Sequence, residues 1–378
     1  MKKRIFIITN KLIGRGVETT LLYLLTNIDL SKYDITLGLI CAGGELEHLV
    51  PSDIKITYLF KKDPASNRSR NTFIRLFWTF APGWLLKRKY IKGKYDIAIA
   101  YSLEYAYLLK GFKGKKFAWV HGDWFPFKMR NHIIGRAEKR STINTFKKFD
   151  NIICCSENLK KMLESFSNNK LENVIFLRNP INRYEIIKKS NEECDFKFEA
   201  GITYFVTVGR LTRQKGYDIL IPIMIDLHKK YSNYKLIIIG DGEDRESLEK
   251  IVLDNLANEY IILLGYKANP FKYVKHCDVF VCSSRMEGYS TSISEAIILG
   301  KAVISTDCGG SDQLLDRGAA GILTETNQES LKNGIVKLLN DKELIDYYKK
   351  ISELRSAQLF DTRTIIEDIE KVAFNANE

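Results

Sequence analysis

Residues 284–300, "SRMEGYSTSISEAIILG", hold two carboxylates that could do chemistry, Glu287 and Glu295, with seven residues between them. Glu287 follows the apolar run "DVFVCSS", which predicts a strand, and stands in a turn with Gly288. Glu295 lies about a turn inside an apolar segment of helical period. Between them come the hydroxyls of Ser290, Thr291 and Ser292. A helix beginning near Ser290 would point the amides of Tyr289, Ser290, Thr291 and Ser292 out of its positive end, toward an anion. The same residues admit a plainer reading, with Ser290 as an N-cap and the glutamates as solvated charges.

Other predicted strand ends add cations and glycines. "YFVTVGR" runs into "LTRQKGYDILI", placing Arg210 and Lys215 beside a helix N-terminus, where two cations and close-approaching glycines suit a diphosphate. "KLIIIGDGEDRESLEK" is a strand, a turn through Gly240 and a helix, half of a dinucleotide fingerprint. "LLGYKANP" offers Gly265 and Tyr266, whose backbone could meet a flat base. In the first half, "WVHGDW" puts His121 at a strand end with Asp123 two residues on, and "LIGRGVETTLLYLL" is a glycine-containing loop opening a helix.

What must position these loops is a set of buried strands. The first half predicts them at "RIFIITN", "DITLGLI", "KITYLF", "YDIAIAY", "KKFAWVHG", "NIICCSE" and "VIFLRN", and the second at "YFVTVGR", "KLIIIGDG", "YIILLGY", "DVFVCSS", "KAVISTD" and "AGILTE". Helical segments alternate with them, the pattern of parallel sheets covered on both faces. A chain of 378 residues suits two domains of roughly 150 to 200 residues. The fold class expected is therefore α/β, two Rossmann-like domains facing across a cleft, with the polar stretch 181–201 as linker and the chemistry at the carboxyl ends of the strands.

Composition narrows the class. No apolar run approaches the roughly 18 to 20 residues of a membrane-spanning helix, and "MKKRIFIITN" reads as a first strand rather than a signal peptide. The seven cysteines form no C-x-x-C pair and sit mostly in apolar runs, which predicts buried reduced thiols and no metal site. Residues 1–180 hold 32 Lys and Arg against 15 Asp and Glu, net +17, and the rest hold 26 against 31, net −5. The first half thus expects an anionic partner. Nucleic acid is excluded by the lack of any helix-turn-helix, RNA-recognition or zinc-finger pattern.

In chain order the second half reads strand, G-R-x(4)-K-G; strand, G-D-G; strand, L-G-Y; strand, E-G-Y-S-T-S-x-S-E; strand, D-C-G-G. This order resembles the retaining, nucleotide-sugar-dependent glycosyltransferases of family 4, of the bacterial surface-polysaccharide type, which have the GT-B fold and a Glu-x7-Glu signature. The resemblance covers essentially the whole chain. It implies an acceptor-binding domain at 1–182, a nucleotide-sugar-binding domain at 183–357, and a C-terminal helix at 358–378 that returns to the first domain. It implies that Arg210 and Lys215 neutralise the diphosphate without a metal or other cofactor, and that Glu295 accepts from the ribose hydroxyls. Glu287 would face the sugar, while the amides of Gly288, Tyr289, Ser290 and Thr291 hold the distal phosphate. Gly240, Gly265 and Tyr266 complete the donor site, with Gly16 at the diphosphate and His121 at the donor sugar. Asp123 orients its loop or contacts the acceptor. Many family members have Gly-Gly where this chain reads Gly14-Arg15-Gly16, so Arg15 brings a cation to a phosphate of donor or acceptor, or to solvent.

Residues 61–94 hold Phe73, Phe77, Trp78, Phe80, Trp84, Leu85 and Leu86 among ten Lys and Arg and one acidic residue. Such interleaving suits an anionic membrane surface; the alternative is a helix packed on its own sheet. The function expected is transfer of a hexose or related sugar to a glycan acceptor, lipid-linked, in surface polysaccharide or glycoconjugate synthesis, at the inner face of the cytoplasmic membrane. The competing readings are a nucleotide-sugar 2-epimerase of the same fold and a non-catalytic sugar-binding protein.

Overall fold

The computed structural model describes residues 2–13, 16–60, 77–122 and 133–374, without the side chains of 133–135. Strands β1 (Lys3–Thr9), β2 (Tyr33–Leu39), β3 (Lys55–Tyr58), β4 (Ile97–Ala100), β5 (Lys115–Val120), β6 (Asn151–Cys154) and β7 (Val174–Phe176) form one sheet, in the order β3-β2-β1-β4-β5-β6-β7. Strands β8 (Thr203–Val208), β9 (Tyr234–Ile239), β10 (Ile261–Gly265), β11 (Val279–Cys282), β12 (Ala302–Thr306) and β13 (Ile322–Thr324) form a second, in the order β10-β9-β8-β11-β12-β13. Every pairing is parallel, from β1 on β2 and β4 to β8 on β9 and β11. The reason is legible in the strands, whose unbroken apolar runs (Ile5–Ile8, Leu236–Ile239) are buried to 2% exposure or less, as strands covered on both faces must be. Each predicted strand is present, and the α/β class with two Rossmann-like units stands.

Strand order reverses between β1 and β4 and again between β8 and β11. At such a reversal the loops leaving two neighbouring strands diverge to opposite faces and leave room for a ligand. In the second sheet those are the loops that carry Lys215 and Glu287.

Two compact units result, Met1–Ile181 with Thr362–Glu378, and Asn182–Asp361. The polar stretch 181–201 is not a free linker. Its residues Arg183–Ser190 form a helix capped by Asn182, whose side chain accepts from Glu185 N–H at 2.9 Å. Asn269 Nδ2 donates to Lys189 O at 2.8 Å, and Tyr273 donates to Asp195, tying the stretch to the second unit. Polarity here marks a surface helix held by hydrogen bonds. The C-terminal crossing lies at Asp361/Thr362, later than position 358, because the helix Lys342–Leu359 is held in the second unit by Ser352 Oγ on Lys301 O at 2.7 Å and Arg355 on Gln313 O at 2.8 Å. Beyond it, Ile365, Ile366, Ile369 and Phe374 join the core of the first unit with Ile5, Leu37 and Tyr33. All seven cysteines are free thiols, and no helix among the described residues is long and apolar enough to cross a membrane.

Candidate active site

In the second unit the loops after β8 and β11 are built against each other. Gly216 takes φ +71°, and a Cβ there would stand 2.1 Å from Ser283 O, so only glycine lets the two backbones touch. Ser283 Oγ donates to Lys215 O at 2.8 Å and Arg285 N–H to Gln214 O at 2.7 Å. The Arg285 guanidinium grips both oxygens of Asp218 at 2.7 and 2.9 Å, the fork geometry that fixes orientation as well as distance.

This scaffold brings the Lys215 ammonium to 2.5 Å from Glu287 Oε1, with the two side chains 22% and 12% exposed. Ser284, 2% exposed, donates to the same oxygen at 2.7 Å. Ser284 is itself held by Thr306 Oγ1 on its carbonyl at 2.6 Å, and the Glu287 N–H donates to Cys308 O. Burial pushes the Lys215 ammonium down, but Glu287 and the neighbouring Cys282 and Tyr217 outweigh it and hold the pKa above the usual lysine range. From the sequence, Lys215 is a loop cation and Glu287 a turn carboxylate; the fold makes them one ion pair.

The helix Thr291–Ile298 begins after Ser290, whose hydroxyl accepts from Ile293 N–H at 3.4 Å. Ser290 is thus the N-cap, 1% exposed. Its hydroxyl serves the helix, so its part in anion binding is confined to the backbone, and the amides of Thr291 and Ser292 are the ones the helix cannot satisfy itself. Glu295 lies one turn in and is half-buried. Its carboxyl has no hydrogen-bond partner among the described residues, and burial raises it to about 7 against the pull of Lys215. A carboxyl in that condition wants donors, and hydroxyls of a ligand supply them.

Gly240 at φ +145° lets the end of β9 touch the loop after β8, since a Cβ would meet Gly209 O at 1.9 Å. Gly240 N–H donates to the Gly265 carbonyl at 2.9 Å, and Tyr266 beside it is 74% exposed. Arg210 is exposed and makes no ion pair or side-chain hydrogen bond among the described residues. Gly288 and Tyr289 are half-buried in the turn after Glu287.

In the first unit His121 follows β5. Its ring lies parallel to Trp119 at 6.1 Å and tilted against Tyr101 at 4.6 Å. Asn179, 7% exposed, donates its amide to Nδ1 at 3.3 Å, which leaves the ring proton on Nε2. That atom is buried and has no partner among the described residues. Burial pushes the imidazole down to about 3, so the ring is neutral and offers one N–H donor. Gly16 opens the helix Gly16–Asn27. Arg15 and Asp123 lie outside the described residues, as do 61–76, including Phe73. Of the rest of 61–94, Trp78 and Leu86 are buried, with Trp78 edge-on to Tyr90 at 6.3 Å, whereas Phe80 and Trp84 are 52% and 65% exposed.

Ser284, Arg285, Asp218 and Asn179 escape a reading of the sequence. Asp218 and Arg285 are 67 positions apart, and no local spacing links them. The serine of "SRME" is three residues before Glu287, a separation that lets a hydroxyl return to a turn carboxylate and is the one signal available.

The profile of the family described as glycosyl transferases group 1 matches residues 191–355. An uncharacterized glycosyltransferase of Methanocaldococcus jannaschii is 30% identical over 274 residues, 69% of this chain and 68% of its own. The N-acetylgalactosamine-N,N'-diacetylbacillosaminyl-diphospho-undecaprenol 4-alpha-N-acetylgalactosaminyltransferase of Campylobacter jejuni is 29% identical over 243 residues, 64% of each chain. The match spans 60% of the length of another M. jannaschii relative, 33% identical. In fold, the chain is similar to Anabaena HepE in complex with UDP, with TM-score 0.73 and 18% identity over 99% of this chain and 100% of that one. A sucrose-phosphate synthase of Thermosynechococcus elongatus gives TM-score 0.77 at 15% identity over 99% of both. With its two parallel Rossmann-like sheets and these relatives, the chain belongs to the group 1 glycosyl transferases of GT-B fold.

Proposed function

We propose that the protein is a retaining glycosyltransferase that moves a hexose or related sugar from a nucleotide diphosphate donor to a lipid-linked glycan at the cytoplasmic face of a membrane. The observation that carries the reading is the Lys215–Glu287 pair, held at the strand-order reversal between β8 and β11 beside a helix N-terminus and the poorly satisfied Glu295. A diphosphate there draws on Lys215, on Arg210 and on the amides of Thr291 and Ser292, and Glu295 accepts from the ribose. Glu287, steadied by Ser284, faces the sugar. Gly265 and Tyr266 meet the base. Gly16 approaches the diphosphate, and His121 donates Nε2–H to the donor sugar. One relative, named for a diphospho-undecaprenol acceptor, supports the lipid-linked part.

Reaction follows from charge. As the diphosphate departs, its growing negative charge is stabilised by Lys215 and Arg210, so no divalent metal is required. The sugar carbon becomes oxocarbenium-like, and the acceptor hydroxyl, hydrogen-bonded to the departing phosphate oxygen, attacks from the same face. The anomeric C–O bond to phosphate breaks, the new glycosidic bond forms, and the hydroxyl proton leaves with the diphosphate. A neutral His121 polarises without exchanging a proton.

The test is thermal-shift titration with UDP, GDP and ADP sugars, followed by turnover of the sugar that binds. Lys215→Ala is expected to lower kcat/KM by on the order of 2 to 4 kcal/mol of transition-state stabilisation. No shift with any donor, or wild-type turnover in that variant, overturns the reading.

A further inference from the structure

Two of the seven cysteines stand at the ends of neighbouring strands, beside the ion pair of the second unit. Cys282 closes β11, and Cys308 follows β12 by two residues, where its N–H donates back to Thr306 O at 2.9 Å and turns the chain. The two strands pair in register, with Cys282 opposite Ser305. Thr306 Oγ1 donates to Ser284 O at 2.6 Å and lies 3.4 Å from Cys282 O, which draws the turn onto the end of β11. The two thiols, 5% and 4% exposed, are thereby brought into a side-chain hydrogen bond with each other.

Each cysteine also touches a support of Glu287. The Cys282 thiol donates to Ser284 Oγ at 3.5 Å, and that hydroxyl is the one on Glu287 Oε1 at 2.7 Å. Cys308 supplies the carbonyl that accepts from the Glu287 N–H. A void of about 10 Å³ is lined by Cys282, Ser284, Lys215 and Ser292 among others, room for about one water molecule. Lys215 and Ser292 are partly exposed, so the approach to the Cys282 sulfur is from the side of the candidate donor site. Cys282 differs in this from Cys154, Cys155 and Cys277, whose thiols burial raises. The hydrogen bond with Cys308, helped by Lys215 and Ser284, holds the Cys282 thiol below its usual range against burial and Glu287. The thiolate is the attacking form of a cysteine, and a second thiol in contact resolves its oxidation product.

We propose that Cys282 and Cys308 are a reversible, peroxide-sensitive dithiol whose disulfide withdraws the supports of Glu287 and switches off sugar transfer. The Cys282 sulfur attacks hydrogen peroxide: an S–O bond forms, the O–O bond breaks, and the hydroxide released leaves as water with the thiol proton. The Cys308 sulfur then attacks the Cys282 sulfenic acid, forming the S–S bond and displacing hydroxide, which leaves as water with the Cys308 proton. The two thiols lose two electrons and the peroxide is reduced to two waters. Bonded to Cys308, the Cys282 sulfur no longer donates to Ser284, and the turn that carries Cys308 O is pulled from the Glu287 N–H. The switching half of the inference rests on the transferase reading above, and the disulfide half does not.

The experiment treats the full chain with hydrogen peroxide and then with dithiothreitol. Disulfide-linked peptides are read by mass spectrometry, and sugar transfer is followed with the donor that gives a thermal shift. Wild type is expected to join Cys282 to Cys308 and to lose turnover about hundredfold, the cost of misplacing a catalytic group by about 1 Å, with both effects reversed by dithiothreitol. Cys282→Ala is expected to keep its own untreated rate after peroxide, and Cys308→Ala to hold Cys282 as a sulfenic acid that dimedone labels. Seven free thiols in wild type after peroxide overturn the proposal, as does full turnover in the disulfide form or an equal loss of turnover in wild type and Cys282→Ala. A chain that forms the linkage but binds no nucleotide sugar overturns the transferase reading and the switch, and leaves the dithiol chemistry standing.

Discussion

Glu295 and Glu287 have the same side chain in opposite conditions. Glu287 has a lysine at 2.5 Å and a serine at 2.7 Å, whereas burial raises Glu295 to about 7 against the pull of Lys215. The sign of the consequence is definite. An unfolded glutamate titrates near 4.3, so between about pH 4.3 and 7 the unfolded chain has released this proton while the folded chain keeps it. Stability is therefore fully present below that window and is lost as pH rises through about 7. Glu295→Gln removes the loss. The ligand-free variant is expected to gain on wild type by up to about 3 kcal/mol between about pH 5 and pH 8, measured by urea unfolding at both. A difference independent of pH would show that Glu295 does not titrate in this range. The same substitution should weaken donor binding, since an amide accepts less strongly from hydroxyls than a carboxylate.

At the scale of elements, the pair at the end of β8 and β11 depends on how closely two loops approach. Gly216 is the hinge of that approach, with left-handed φ and Ser283 O where a side chain would begin. Gly216→Ala must displace one loop, and it is expected to cost about 1 to 3 kcal/mol of stability. Because the moved loop carries Lys215, donor affinity should fall by more than the stability loss explains. Thermal-shift titration with the donor identified for wild type checks this, and an alanine variant of normal affinity would mean that the contact is only architectural. Ser283 and Arg285 act on the same loops through hydrogen bonds to Lys215 O and Gln214 O. They contribute alignment rather than chemistry.

For the molecule as a whole, the last helix belongs to the core of the first unit rather than to the chain next to it in sequence. Phe374 is fully buried, its ring edge-on to Tyr33 at 5.3 Å. Phe374→Ala is expected to destabilise the first unit by about 3 to 5 kcal/mol. Hydrogen exchange should then lose protection in β1 and β2 while β8 and β9, in the other core, keep theirs. Uniform loss across both sheets would mean that the two cores unfold as one. Charge is distributed by unit as well: the net +17 of residues 1–180 lies on the first unit.

Much of this was legible without coordinates. Apolar runs of strand length such as "KLIIIG" and "DVFVCSS" can only be buried strands, and their alternation with helices determines a parallel α/β class because both faces need cover. Turn glycines and the charges after strands likewise marked which loops to inspect, since strand ends are where such sheets expose polar groups. The tertiary structure alone decided which loops are neighbours. That β8 lies beside β11, rather than beside its successor in sequence on both sides, is what joins Lys215 to Glu287 across 72 positions and lets Ser284 serve the same oxygen. It also showed that the polar stretch 181–201 holds a packed helix at Arg183–Ser190 and that Trp78 is buried while Trp84 is not. Composition records how much of each residue type is present, whereas pairing, burial and the pKa of a carboxylate depend on which distant residues close around it.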